Sequence, residues 1–254
     1  MPGSDNPEGP SRVAVISDVH GNLPALEAVL AAIESEDVEE CWCLGDLVGY
    51  GGQPNECVRL AAEACDRTLV GNHDLLVLEK LDVGEFSRNA AIAALWTREA
   101  LADEAAEFLS GCEPSATAAG LGLFHASPRD PVWEYVLSAL LASDCMDAME
   151  TRICLVGHSH VALRFERAPG DGEARGAPSS EGDECDLSAG EWLLNPGAVG
   201  QPRDGDPRAA WMLLDLDAMT AVWRRVEYPI DDAAAAIKRA GLPEMLAERL
   251  YYGQ

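Results

Sequence analysis

Five short apolar runs in this chain end alike. VAVI (13–16), CWCL (41–44), TLV (68–70), GLGLF (120–124) and ICLV (153–156) each give way within a few residues to aspartate, asparagine or histidine, mostly beside glycine. Such runs, continuous rather than alternating, read as strands buried on both faces. The stretches LPALEAVLAAIES and NECVRLAAEAC between them carry helical periodicity. A chain that alternates the two folds as layered α/β. In such folds the crevice at the carboxyl ends of the strands is where sites are built. The five histidines, His20, His73, His125, His158 and His160, all fall at those ends.

The first run shows the consequence. Asp18 and His20 stand two apart just beyond VAVI, and in an extended chain such residues point to the same side. The other ends supply Asp46 in GD, Asn72, His73 and Asp74 in GNHD, His125 in FHAS, and His158 and His160 in GHSH. Carboxylate and amide oxygens with imidazoles suit manganese, iron or zinc better than magnesium or calcium. They are too many for one ion and enough for two that share a carboxylate. Glycines at 45, 71 and 157 let the backbone approach the ions without a Cβ in the way.

In order, D-x-H, G-D, G-N-H-D, a lone histidine and G-H-x-H resemble the calcineurin-like metallophosphoesterase superfamily, over residues 13–204. GDLVGYG, HASPRDPVWEY and NPGAVGQPRDGDPRA resemble its small prokaryotic phosphodiesterase branch, which includes diadenosine-polyphosphate hydrolases. The resemblance implies a four-layer αββα sandwich: two facing mixed sheets flanked by helices, with a dinuclear metal site at the strand carboxyl ends. It implies that Asp18, His20, Asp46 and His160 bind one divalent ion (Mn²⁺, Fe²⁺/Fe³⁺ or Zn²⁺), and Asp46, Asn72, His125 and His158 the other. His73 would be the general acid and Asp74 its orienting partner. The implied reaction is attack by a hydroxide between the two ions on a phosphodiester or phosphoanhydride of a small nucleotide-like substrate, such as a dinucleoside polyphosphate. Many members carry aspartate three residues after the aspartate of G-D, and Gly49 stands there here.

Two other readings use the same fold. A protein serine/threonine phosphatase is disfavoured by the short chain and by Gly49. A non-catalytic scaffold, as in the retromer subunit, replaces the histidine of G-N-H-D, whereas His73 is present here. Substrate contacts must come from outside the metal ligands. Arg129 in SPRD and Arg203 in QPRDGD are the candidates for a distal phosphate, against salt bridges to Asp130 and Asp204. NPG at 195–197 reads as a turn bracing the site.

Charge narrows the partners. With 18 basic and 44 acidic residues the formal net charge is −26, which repels polynucleotides. No apolar run approaches the roughly 18 residues of a membrane span, and residues 1–11 lack the basic n-region and apolar core expected of a signal peptide. The expectation is a cytoplasmic enzyme, with eight reduced cysteines serving as small hydrophobes.

Residues 1–11 read as a flexible tail and 12–254 as one domain. Within it, 75–110 is a helical segment that could cap the cleft, with Phe86, Ala90, Leu95, Trp96 and Leu101 as buried candidates, and Trp96 and Arg98 as wall candidates. EYVLSALLASDCMDAM is expected as helix throughout. Residues 169–190 read as a mobile acidic loop. ALRFERA, EWLLNP, AAWMLLDLD and AVWRRVEY suggest a second, largely antiparallel sheet.

Overall fold

The computed structural model describes residues 9–254. Of the expected tail, residues 1–8 lie outside the described residues. Ser11 is already held: its N–H donates to Glu39 Oε2 at 3.0 Å and its carbonyl accepts from Leu216 N–H at 2.7 Å.

The chain opens β1 (Arg12–Ile16), α1 (Leu23–Glu34), β2 (Glu40–Cys43), α2 (Pro54–Ala64), β3 (Arg67–Thr68) and α3 (Asn72–Val77). A 3₁₀ turn (Val83–Glu85) leads to α4 (Arg88–Ala100), α5 (Asp103–Ser110), β4 (Ser115–Ala118), β5 (Leu121–Phe124), α6 (Ala139–Ala148) and β6 (Ile153–Val156). Six strands follow: β7 (Ala162–Arg167), β8 (Arg175–Pro178), β9 (Glu184–Asp186), β10 (Glu191–Pro196), β11 (Ala209–Asp215) and β12 (Thr220–Val226). Helices α7 (Ile230–Arg239) and α8 (Glu244–Glu248) and a 3₁₀ turn (Arg249–Tyr252) end the described chain.

The strands form two six-stranded sheets, ordered β3-β2-β1-β11-β12-β9 and β4-β5-β6-β10-β7-β8. Both are mixed. In the first, β1, β2 and β3 run parallel and β11, β12 and β9 pair antiparallel. In the second, β5, β6 and β10 run parallel, with β4, β7 and β8 antiparallel at the flanks.

Alternation along β1 shows how the layers stack. Val13 and Val15 face the second sheet, in a core with Trp42, Leu123, Leu155 and Leu194, whereas Ala14 and Ile16 face the helices, in a core with Leu26, Val29 and Ile237. Each fully buried Val or Ile stabilises the fold by about 1.5–3 kcal/mol. A third core lies outside the second sheet, where Phe165 and Leu193 meet Cys145 and Met146 of α6. The four layers are thus helices, sheet, sheet, helix, the αββα sandwich the sequence implied.

Several local expectations differ from the structure. The four C-terminal runs do not build a sheet of their own: β7 and β10 join one sheet, β11 and β12 the other. Segment 169–190 contains β8 and β9, which extend the edges of β7 and β12. Their sequences, RGAP and ECD, have little strand character, and the neighbouring ladder supplies the pairing. Helix α6 starts only at Ala139, where the Ser138 hydroxyl accepts from Leu141 N–H. Of the candidates in 75–110, Ala90 is buried and Phe86, Trp96 and Leu101 are half-buried, but Leu95 is exposed. Among the described residues no helix is long and apolar enough to cross a membrane.

Candidate metal centre

The parallel strands β1, β2, β3, β5 and β6 bring their carboxyl ends to one edge of the sandwich, so the polar residues just past each strand converge. Asp18, His20, Asp46 and His160 each offer an atom within 4.8 Å of the others, and Asp46, His125 and His158 do the same. Asn72 Oδ1 adjoins the second group, 3.3 Å from His125 Nε2. The structure therefore gathers all seven metal candidates, in the two groups expected from sequence.

The backbone achieves this by leaving the strand, not by extending it. Asp18, His20, Asp46, His158 and His160 all have positive φ, between 50° and 62°. Left-handed backbone at a residue other than glycine costs on the order of 1–3 kcal/mol and persists only where its surroundings impose it. Here Asp18 N–H donates to Gly45 O, His20 N–H to Asp46 O and Gly200 N–H to Asp18 O, so each loop is pinned by the next. Asn195 braces the GHSH loop: its amide donates to Gly157 O at 2.7 Å and Ser159 Oγ at 3.0 Å. Gly71 is required for a different reason. A Cβ there would lie 2.0 Å from Asp46 Oδ1.

Three imidazoles have their tautomer set from behind. Nδ1 of His20, His125 and His160 donates to the carbonyls of Val48 (3.0 Å), Leu44 (2.9 Å) and Gln201 (2.6 Å). In a neutral ring this leaves Nε2 a bare acceptor aimed into the site, the second-shell arrangement of metal-binding histidines. His20 Nε2 and His160 Nε2 are only 3.1 Å apart, two lone pairs with no proton between them. Asp46 is held through Oδ1 by His73 N–H at 2.9 Å, while its Oδ2 lies 3.5 Å from both His20 Nε2 and His125 Nε2. Asp18 Oδ2 accepts from His158 N–H, and its Oδ1, like His158 Nε2, is buried with no partner.

The electrostatics are those of a site built for cations. Asp18 and Asp46 are fully buried, and among the described residues only imidazoles lie within salt-bridge range of them. Burial pushes the Asp18 carboxyl up to about 7, with His125 opposing and Asp46 adding to the rise. Burial, then Asp74, holds Asp46 well above the carboxylate range. Burial also keeps His20 and His160 well below the usual imidazole value, and lowers His158 to about 2. Two buried carboxyls ringed by neutral imidazoles are an environment that bound metal ions would stabilise. The donor set fits them.

His73 sits beside this group, its ring 4.8 Å from that of His20 and its Nδ1 buried and unpartnered. Burial, then Arg203 and His125, lowers it to about 3. Gly49, the departure from the family pattern, faces it: a Cβ at 49 would lie 2.7 Å from His73 Nδ1. Asp74 does not orient the His73 ring as expected. Its carboxylate accepts from the N–H groups of Leu47, Val48 and Gly71, which fixes the loop carrying Asp46. Three backbone donors reach it, so the carboxylate acts as a loop clamp.

The two arginines part company. Arg203 is half-buried, with its guanidinium 5.7 Å over the Tyr50 ring and bonded to Gln201 Oε1 at 2.9 Å. Asp204, its expected partner, pairs with Arg225 instead. Arg203's charge acts on Asp18, Asp46 and the site histidines 20, 73, 158 and 160. Arg129 is held by acids near it in the chain and on helix α6. It pairs with Asp144 at 2.8 Å and Glu134 at 3.6 Å, because helix α6 presents an acid where the sequence suggested Asp130. Trp96 packs half-buried against the helix-side core, and Arg98 pairs with Glu79. The residues that flank the site are Tyr50, Phe86, Trp133 and Tyr135. Only the resemblance of GDLVGYG and DPVWEY hinted at three of them.

Known proteins are similar to this chain. A model of the calcineurin-like phosphoesterase superfamily domain matches residues 12–219. An uncharacterized protein of Methanocaldococcus jannaschii is 38% identical over 251 residues, 96% of this chain and 99% of that one. The crystal structure of a metallophosphoesterase from Sphaerobacter thermophilus superposes with a TM-score of 0.86 at 38% identity, covering 96% of this chain and 100% of the other. A hypothetical protein from Pyrococcus horikoshii OT3 has the same fold, with a TM-score of 0.76 at 22% identity over 96% and 98% of the two chains.

Proposed function

Because this chain belongs to the calcineurin-like phosphoesterase superfamily, and is thus a metal-dependent phosphoric ester hydrolase, we propose that it cleaves a phosphodiester or phosphoanhydride of a small nucleotide-like substrate in the cytoplasm. The observation that carries the site assignment is Asp46 Oδ2, equidistant from His20 and His125, with unpartnered ligand atoms on both sides. Asp18, His20, Asp46 and His160 would hold one divalent ion, and Asp46, Asn72, His125 and His158 the other. Bound ions supply Lewis acidity, neutralise phosphoryl charge and lower the pKa of water enough to give a nucleophile at neutral pH.

The chain's own residues do the rest. The backbone-pinned loops fix the ligand atoms before substrate arrives, so little reorganisation remains. Arg203 adds positive charge beside the ions in a protein whose overall field repels phosphate. His73 moves the proton to the departing oxygen. Its ring is neutral in the free site, and an anionic substrate opposes the depression of its pKa. Chelation tests the function. Protein stripped of metal, with removal confirmed by elemental analysis, loses turnover of an aryl phosphodiester and regains it with Mn²⁺. Undiminished turnover in metal-free protein would overturn the reading.

The arginines give a finer test. Arg203→Ala lowers kcat/KM for a dinucleoside polyphosphate by about 1.5–3 kcal/mol, the worth of a charge-assisted hydrogen bond, and changes a small aryl phosphodiester far less. Arg129→Ala changes both substrates alike, since its guanidinium serves α6. Measuring both variants on both substrates checks this. A selective loss in Arg129→Ala, or equal losses in Arg203→Ala, would reverse the assignment.

A further inference from the structure

The chain has six Trp, five Tyr and four Phe residues; the rings of Tyr50, Phe86 and Tyr135 touch histidines of the candidate metal centre, and Trp133 packs on Phe86. They form an arc. The Tyr50 ring lies 4.4 Å from that of His73, His73 meets Phe86 edge-on at 5.4 Å, and Phe86 lies 5.0 Å from Trp133. Two residues on, the Tyr135 ring stacks on His158, with centroids 4.0 Å apart and planes inclined at 29°. Tyr135 is 44% exposed; Tyr251 and Tyr252 are exposed too, but the ring contacts tie Tyr135 alone of the three to a site histidine.

An exposed ring on a floppy loop would mean little, but this one is on a built strap. Asp130 Oδ1 accepts from the N–H groups of Val132 (3.0 Å) and Trp133 (3.1 Å), and Ser127 Oγ donates to Glu134 Oε2 at 2.6 Å. Arg129 ties the strap to Asp144 of α6 at 2.8 Å. A histidine that binds a metal needs its second nitrogen oriented, not a ring on its face. One face of the Tyr135 ring packs on His158, and the ring remains 44% exposed beside the centre. Flat aromatic surface beside a phosphate-binding centre is how proteins hold nucleobases. A chain of net charge −26 disfavours long polynucleotides, so the base such a ring would hold is that of a small nucleotide.

Resting on the phosphoesterase reading for where the phosphate lies, we propose that Tyr135, with Trp133 beside it, is a stacking platform for a nucleobase whose phosphate occupies the metal centre. The substrate is then a nucleotide ester or anhydride, not a sugar phosphate or a simple organic phosphate. Stacking on an aromatic side chain is worth about 1–3 kcal/mol per base, or roughly 5- to 150-fold in affinity.

The test is calorimetric binding of AMP and of ribose 5-phosphate, which lacks the base, to Mn²⁺-loaded protein. The wild type and Tyr135→Phe bind AMP about 5- to 150-fold more tightly than ribose 5-phosphate, and in Tyr135→Leu the gap narrows to within about threefold. Equal affinities in the wild type, or a gap that survives in Tyr135→Leu, overturn the platform. Turnover of ethyl p-nitrophenyl phosphate by the same wild-type preparation separates the two failures. Turnover without an AMP preference removes the platform and keeps the phosphoesterase. No turnover and no binding of either ligand removes both.

Discussion

Asp46→Ala abolishes hydrolysis and leaves the protein short of at least one of its two ions. Asp46 Oδ2 lies 3.5 Å from Nε2 of His20 on one side and of His125 on the other, so it is the one carboxylate both groups share. Removing it withdraws a ligand from both ions and leaves the remaining acceptors facing one another. A Lewis-acid contribution of several kcal/mol is then lost, which corresponds to more than about 10³-fold in kcat. Asp46→Asn is the companion variant. Its amide oxygen can still accept from His73 N–H, as Asp46 Oδ1 does at 2.9 Å, so the loop keeps its shape while the shared charge is gone. Elemental analysis and kcat together check the expectation. An alanine variant that retains two ions per chain and near-native kcat would show that the bridge lies elsewhere.

His73→Gln has the opposite signature. Both ions stay, because the His73 ring belongs to neither group of close ligand atoms. For substrates with poor leaving groups kcat falls by about 10²–10⁴-fold, the usual contribution of a positioned general acid. For p-nitrophenolate, which departs without a proton, the loss is much smaller. The dependence of the loss on leaving-group pKa is the measurement, read beside metal content. A loss independent of the leaving group, or loss of metal, would assign His73 to structure or to coordination. Burial, Arg203 and His125 set its free-site pKa to about 3.

Much of the fold was legible because continuous apolar runs report burial on both faces, and residues 13–16, 41–44 and 153–156 are such runs. The candidate ligands were legible because each follows a run in sequence. What the pattern could not carry was conformation and pairing. Asp18 and His20 were expected to point together as neighbours on an extended strand. They do converge, but from left-handed backbone beyond β1, a choice that hydrophobic periodicity does not encode. The role of Asp74 and the partner of Arg129 were misread because the Leu47 and Val48 amides are distant in sequence from Asp74, and Asp144 lies on another element from Arg129. The strands β8 and β9 were invisible for the same reason: their ladders, not their residues, make them strands.

The two groups of ligand atoms do not belong to one sheet. Asp18, His20, Asp46 and Asn72 follow β1, β2 and β3 of the first, and His125, His158 and His160 follow β5 and β6 of the second. Ions held among them would rivet the sandwich along one edge, joining layers that are otherwise pressed together mainly by side-chain contact. Metal affinity and resistance to unfolding then draw on the same free energy. A substitution deep between the sheets that lets them shift by a fraction of an ångström would register first as a looser grip on metal, before any loss of fold.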